Sequence, residues 1–234
     1  MAGDRRGFEP LEPKLREGLL QLGLDASGET VSKLLDFLAE LTLWNRRYSL
    51  IRATEEELVV RHLLDSLGPI ASIRRELEGV AEAASAAGSP PGTPIVDLGT
   101  GAGFPGVPLS IAGGLRVTLL DRSERATTFL RAAVARLRLE GCRVLRGDAS
   151  VIPERFPMVV ARALSPGGRE GLRRVRRLTD RGGRGIVYAG TRESAEGWGV
   201  AAEGLFASTS IESVSVPFLD APRHLVLLAD PIED

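Results

Sequence analysis

Residues 95–106 read Ile-Val-Asp-Leu-Gly-Thr-Gly-Ala-Gly-Phe-Pro-Gly, and they are the part of the chain best suited to holding a ligand. An apolar run ends in Asp97, and Gly99, Gly101 and Gly103 then open a turn. Glycine allows left-handed backbone and leaves no Cβ in the way of an approaching molecule. A strand feeding such a turn is how open α/β sheets cradle nucleotide-like ligands. Gly101, Gly103 and Gly106 also satisfy the literal Gly-x-Gly-x-x-Gly pattern of dinucleotide sites, which alone is weak evidence. Against a dinucleotide, Asp97 would repel a pyrophosphate, and Pro105 and Pro108 remove backbone donors. S-adenosylmethionine has no phosphate; its ammonium and sulfonium favour a nearby carboxylate. The plain alternative is an ordinary Gly-rich turn with a capping aspartate.

Further acids follow. Arg116–Asp121 reads as the next strand, and a carboxylate at its end can accept both hydroxyls of a ribose. Asp148 follows a third short run, Cys142–Arg146, where it could meet an adenine amino group or stand as a solvated turn residue.

The elements that position these residues follow from periodicity. Residues 1–10 are expected to be disordered. Leu15, Leu19, Leu20 and Leu22 suggest a short helix, and Val31, Leu34, Leu35, Leu38 and Leu41 a longer one reaching Trp44 and Asn45. Thr54 and Glu57 form a capping box ahead of His62. His62 and Asp65 share a helix face, as a structural pair tying the helices to the rest or as ligand contacts. Residues 1–80 are read as a small helical N-terminal segment, 81–93 as an Ala-, Gly-, Ser- and Pro-rich linker, and 94–234 as the ligand-binding domain. Strands are expected near 94–98, 116–121, 142–146, 157–163, 184–189, 211–217 and 224–229, with helices near 106–112, 123–140 and 168–180. This alternation implies an α/β fold, a Rossmann-like, mostly parallel sheet. The last two strands are joined too tightly for a parallel crossover, so they should form an antiparallel edge hairpin.

Composition limits the remaining choices. The chain has 234 residues, a net charge of −1 and 43% hydrophobic residues. Of its 30 basic residues only Lys14 and Lys33 are lysine. Arginines cluster at Arg169, Arg173, Arg174, Arg176, Arg177, Arg181 and Arg184, and again at Arg46, Arg47 and Arg52. Arginine suits phosphate contact and base stacking, and the plain alternative is a solvated helix face. Of these, Arg46, Arg47, Arg173, Arg174 and Arg177, together with Arg223, are the candidates for contact with nucleic-acid phosphates. The single cysteine, Cys142, excludes an internal disulfide and a Cys-rich zinc site, and reads as a buried core thiol. No metal site is expected. No signal peptide or apolar run near ~20 residues is visible, so a cytoplasmic chain that crosses no membrane is expected.

Three stretches together carry a resemblance: Trp44-Asn-Arg-Arg-Tyr48; Val60-Arg-His-Leu-Leu-Asp-Ser-Leu67; and Asp97-Leu-Gly-Thr-Gly-Ala-Gly-Phe-Pro-Gly-Val-Pro-Leu109. With Leu119-Leu-Asp121, Phe129-Leu130, Arg162-Ala163 and Arg223-His-Leu-Val226, they resemble the bacterial RsmG family, also called glucose-inhibited division protein B. The resemblance implies a class I methyltransferase that uses S-adenosylmethionine to methylate N7 of a guanine in 16S ribosomal RNA, with the RNA or the small ribosomal subunit as partner. By position it implies cofactor contacts from Gly99, Phe104, Asp121, Ala149, Ser150 and Arg162, with Asp97, Gly101 and Gly103 in the same pocket and Asp148 beside the adenine. Guanine N7 is already a lone-pair nucleophile, so positioning can supply much of the rate and no general base is required. Arg162, His62 and Arg223 are the candidates for groups near the reaction. A monomer is expected.

The chain also departs from the family. It has Ala189-Gly190 where the family has lysine-glycine, Tyr48-Ser-Leu-Ile51 where members often have Tyr-Asn-Leu-Thr, and Asp148-Ala-Ser150 where they favour Arg-x-Glu. These changes bear on RNA specificity more than on cofactor binding. They keep open a divergent cofactor-binding relative with another RNA substrate or no turnover, and the glycine spacing alone keeps open a nicotinamide enzyme.

Overall fold

The computed structural model describes residues 3–86, 94–162 and 168–232. A single 3-10 turn, Glu9–Leu11, leads into α1 (Glu12–Gln21) and then α2 (Gly28–Tyr48). After the Thr54 capping box, α3 (Glu55–Glu57) passes without a break into a π-helical stretch, Leu58–Leu64, and α4 (Asp65–Leu67); α5 (Ile70–Ala86) follows. Strands and helices then alternate: β1 (Ile95–Leu98), α6 (Gly106–Ile111), β2 (Val117–Asp121), α7 (Glu124–Leu137), β3 (Cys142–Arg146) and β4 (Phe156–Arg162). The chain ends with α8 (Arg169–Leu178), β5 (Thr179–Ala189), α9 (Arg192–Ala202), β6 (Phe206–Val214) and β7 (Arg223–Pro231).

The seven strands lie in the order β3-β2-β1-β4-β5-β7-β6. β1 to β5 are parallel, and β7 runs antiparallel to both β5 and β6. The chain winds outward from β1 to β3 and then returns to place β4 on the other side of β1. That reversal opens a crevice at the carboxyl ends of the strands, where such sheets bind ligands. This is the Rossmann-like sheet with an antiparallel edge hairpin that the alternation predicts.

Period-two alternation sorts the strand residues to two faces. Ile95, Val117, Leu119, Val160 and Leu225 join a core closed by Leu34, Phe37, Leu38, Leu63 and Leu64 of the N-terminal helices and Phe129 of α7. Val96, Leu98, Leu120, Val159 and Val187 face the opposite way, onto Leu172, Val175 and Leu178 of α8 and Ala195 and Ala202 of α9. The N-terminal helices therefore share the core of the sheet and complete one of its layers. Ser72 and Arg75 of α5 reinforce this by hydrogen-bonding Glu212 of β6 at 2.7 and 2.6 Å.

Several expectations change. Residues near the start are tied down rather than free: Phe8 is buried, and Arg5 bonds Ser32 at 2.9 Å. α5 runs to Ala86, six residues into the stretch read as linker, and 87–93 lie outside the described residues. β5 and β6 begin at Thr179 and Phe206, five residues earlier than expected in each case, and α9 stands where the sequence predicts no helix. Cys142 is only partly buried, on the edge strand β3, and its thiol is pushed up to about 11 by desolvation, which disfavours the thiolate. Among the described residues no helix is long and apolar enough to cross a membrane.

Candidate functional site

The loop after β1 is held from below. The amides of Gly99 and Thr100 both donate to the carbonyl of Leu120, at 2.9 and 3.1 Å, so the turn is pinned to β2. Gly99, Gly101 and Gly103 take φ of +71°, +56° and +95°, where only glycine is unstrained. Their surroundings differ. A Cβ at Gly99 would meet nothing within 4 Å, and one at Gly101 only the Gly99 carbonyl at 3.9 Å. A Cβ at Gly103 would press on Val107, Leu130 and Phe37, and one at Gly106 would collide with Leu119 and Asp97. The first two glycines thus leave open space beyond the loop, and the last two let the loop pack down on the core. Gly99→Ala is therefore expected to lower the melting temperature by only a few degrees, as a left-handed alanine costs about 1–2 kcal/mol. It is also expected to weaken nucleoside binding in the crevice at least tenfold, read by calorimetry; unchanged affinity would remove the loop from the site.

Asp121 closes the rim at the end of β2. Its Oδ2 accepts from the Gly101 amide at 2.9 Å and its Oδ1 from Ser123 at 2.7 Å. Each oxygen keeps a lone pair, enough to accept the two hydroxyls of a ribose. Asp148 builds a turn of its own after β3, with Oδ1 accepting from the Ser150 amide and hydroxyl at 2.8 and 2.7 Å. Those bonds hold its carboxyl below the usual range and leave Oδ2 for another partner. Ala149 is buried beside it and Ser150 is exposed.

Asp97 lies underneath, fully buried. Its Oδ2 accepts from the Gly106 amide at 2.7 Å, while its Oδ1 has no hydrogen-bond partner meeting ordinary geometry among the described residues. Burial pushes the carboxyl up to about 6, against the pull of the Thr100 hydroxyl, the Gly106 amide and the Arg162 charge. Asp97 therefore acts on the crevice as the anchor of its floor and as a source of charge, without a surface of its own there.

The far wall is a cationic cluster drawn from distant parts of the chain. Arg162 leaves the end of β4 with one guanidinium nitrogen 2.9 Å from His62 Nδ1 and another 3.4 Å from Asp65 Oδ2. Its guanidinium carbon stands 5.5 Å from the Phe104 ring centroid. Asp65 Oδ1 accepts from Arg223 Nε at 2.9 Å, so one carboxylate joins β4 to β7 through the helical layer. Tyr188 extends the same tie by donating to the Ser66 carbonyl at 3.0 Å. His62 sits in the π-helical stretch, a distortion of helix geometry frequent at functional sites.

Burial and the Arg162 charge depress His62 to about 4, so above pH 5 it is a neutral acceptor for Arg162. Because the folded state holds that proton less tightly than the unfolded chain, this group makes stability rise with pH from about 4 to 6.5. His62→Gln keeps an acceptor, and it is expected to keep the turnover of the native protein between pH 6 and 8. A pH–rate profile that loses an ionisation near 6.5 in the variant would instead make His62 an acid–base group.

The arginine clusters fare differently. Arg46 and Arg47 are exposed at the end of α2, with Arg47 5.4 Å from the Tyr48 ring. On α8, Arg173 and Arg174 face Glu170 at 3.6 and 3.7 Å, and Arg177 donates to the Ile152 carbonyl at 3.1 Å. Arg176 donates to the carbonyl of Ile232, beyond the end of β7 that lies away from the crevice. The structure brings Arg162 and Arg223 together at the crevice; α8 carries its arginines along the outside of the sheet. Ala163 and Leu164 lie outside the described residues. No group of acids, histidines or cysteine among the described residues could hold a metal ion.

A family model described as rRNA small subunit methyltransferase G matches residues 30–226. The ribosomal RNA small subunit methyltransferase G of Methylobacillus flagellatus is 33% identical over 222 residues, covering 93% of this chain and 98% of the relative. That of Chromobacterium violaceum is 35% identical over 217 residues, covering 91% and 95%. Among solved structures, a putative S-adenosyl-L-methionine-dependent methyltransferase from Methanococcus maripaludis aligns with a TM-score of 0.53 at 14% identity, covering 85% of this chain and 94% of that one, a likeness of fold.

Proposed function

The chain belongs to the rRNA small subunit methyltransferase G family, and on that premise we propose that it transfers a methyl group from S-adenosylmethionine to N7 of a guanine in 16S ribosomal RNA. The observation that carries the reading is the crevice: an open glycine cradle with a buried carboxylate beneath it and two more carboxylates on its rim. Three acids around one cradle suit a cationic nucleoside and oppose a diphosphate.

S-adenosylmethionine supplies an electrophilic methyl group on a sulfonium. Gly99, Gly101, Gly103 and Phe104 would line its cradle, and Asp121 would accept its ribose hydroxyls through lone pairs left free by Gly101 and Ser123. Asp148, Ala149 and Ser150 would flank the adenine. Asp97 would hold the floor through Gly106 and offset positive charge above it. Arg162, aimed by His62 and Asp65, would close the wall beside Phe104.

Among the described residues of the crevice, neither His62 nor Tyr188 is poised to take a proton. His62 is neutral and engaged with Arg162, and Tyr188 is held well above its ordinary value by burial. Attack by a ring nitrogen that carries no hydrogen needs no such group; the protein's work is to align the partners and exclude water. Arg223, Arg46 and Arg47 would meet phosphates, whereas Arg173, Arg174 and Arg177 are engaged along α8 and contribute less. We place the enzyme in the cytoplasm as a monomer.

The test is transfer of a labelled methyl group to small-subunit RNA from cells that lack the modification, followed by mapping of N7-methylguanine. Label at one guanine N7 supports the reading. Cofactor binding with no transfer to any small-subunit preparation would replace it with a binding protein.

A further inference from the structure

Next to the crevice is a second cleft, of about 420 Å3, in which the sites described above take no part. Lys14 of α1, Glu56 and Glu57 of α3, Arg61 of the π-helical stretch, and Phe218 and Leu219 of the β6–β7 connection line it. Its position follows from the register. Val214 pairs with Arg223, and His224 with Ala189 at the end of β5, so the connection 215–222 hangs over the crevice end of the sheet. Arg61 immediately precedes His62, and Arg223 follows Phe218 by five residues, so the cleft and the cationic wall share elements on both sides.

Phe218 is held at φ +64°, a backbone state that a bulky residue rarely adopts and that its surroundings must impose. The conformation does not bury the ring, which stays 39% exposed. Lys14 Nζ sits 5.6 Å from the ring centroid and fixes one side of it. The acids of the cleft are already engaged: Glu56 with Lys14 at 2.5 Å, and Glu57 with the Thr54 amide and hydroxyl at 2.9 and 3.1 Å. Arg61 is exposed and makes no hydrogen bond or close ion pair among the described residues; Glu57 reaches it only at longer range. An outward aromatic face beside an unengaged guanidinium matches one nucleotide of single-stranded RNA, a base to stack and a phosphate to neutralise.

We propose that this cleft holds a nucleotide neighbouring the target guanine, with its base on Phe218 and its phosphate on Arg61. The assignment rests on the RNA methyltransferase reading, and it gives a reason for the exposed ring. A target base drawn into a crevice must leave its neighbours unstacked, and a platform beside the crevice compensates them.

The test is methyl transfer at saturating donor with varied small-subunit RNA from cells lacking the modification. Phe218→Ala is expected to raise KM for RNA roughly tenfold, as loss of one stacking contact does. Phe218→Trp should restore it and Phe218→Leu should not. Arg61→Gln should reduce the dependence of log KM on log salt by about one unit, the share of a single phosphate. KM for the methyl donor should stay unchanged in all four variants. If the native protein transfers no methyl group, the activity reading fails. If it does and Phe218→Ala and Arg61→Gln match it in KM and salt slope, the subsite is wrong. Restoration by leucine as full as by tryptophan would mean a plain apolar contact and would also overturn the assignment.

Discussion

Replacing Asp65 by alanine is expected to slow methyl transfer about a hundredfold and to cost about 2–3 kcal/mol of stability. The Asp65 side chain is only 14% exposed, and the two arginine side chains it holds, Arg162 and Arg223, are 17% and 25% exposed. Removing it leaves two like charges in a partly desolvated site with nothing between them, and the stability loss follows from that repulsion. The rate loss follows from geometry. Arg162 would keep its bond to His62 but lose the carboxylate that fixes its second edge, and so lose its aim beside Phe104. Asp65→Asn retains an acceptor without the charge and should fall between the native protein and the alanine variant. A core variant such as Leu19→Ala is a control: it should lose comparable stability and still turn over normally at 25 °C. Denaturant titration and steady-state transfer measure both quantities. Transfer by Asp65→Ala within threefold of native would make the carboxylate a simple tether between layers.

That network shows where sequence reading stops. The sheet was legible because each of its first strands is a short apolar run ending in a turn residue, and the glycine loop was legible because three closely spaced glycines after an apolar strand have few other uses. His62 and Asp65 could be placed on one helix face. Nothing local says that Asp65 meets Arg162 and Arg223, which lie 97 and 158 residues away. The π-helical stretch was equally hidden, since Leu-Val-Val-Arg-His-Leu-Leu has the composition of an ordinary helix. α9 escaped because Gly197 and Gly199 interrupt a weak apolar pattern with residues of low helix propensity. The early start of β5 escaped because Arg181-Gly-Gly-Arg184 reads as a turn; it is instead the irregular entry of a strand, with the pairing register shifting between Phe156 and Met158. Phe8 reads as part of a loose tail because a lone aromatic among charged residues carries no period.

Asp97→Asn is expected to make the protein more stable at pH 8 and worse at binding its cofactor. The native carboxyl is fully buried, with one oxygen on the Gly106 amide and the other without a partner meeting ordinary geometry among the described residues, and desolvation raises it from 3.8 to about 6. Folded protein therefore holds this proton more tightly than the unfolded chain. Stability contributed here is present below about pH 4, falls as pH rises to about 6, and above that the buried charge costs about 3 kcal/mol. Asparagine stays neutral and can keep the Gly106 bond through its carbonyl. Its amide nitrogen would take the place of that second oxygen, near the Thr100 hydroxyl. The gain at pH 8 should then be about 1–2 kcal/mol after imperfect pairing of the amide, and it should vanish near pH 4. Affinity for S-adenosylmethionine should move the other way. Without the carboxylate beneath the cradle, binding should weaken at least tenfold, a loss of about 1.4 kcal/mol of charge complementarity. The native protein should lose affinity as pH drops below 6, and the variant should not. Thermal melts at pH 4 and 8 with calorimetry between pH 5.5 and 8 separate the two effects. A variant that binds as tightly as the native protein and melts no higher at pH 8 would show that the crevice does not draw on this charge. A gain in stability matched by a loss in binding would mean that the chain keeps an ionised group in its core because the ligand above it is a cation.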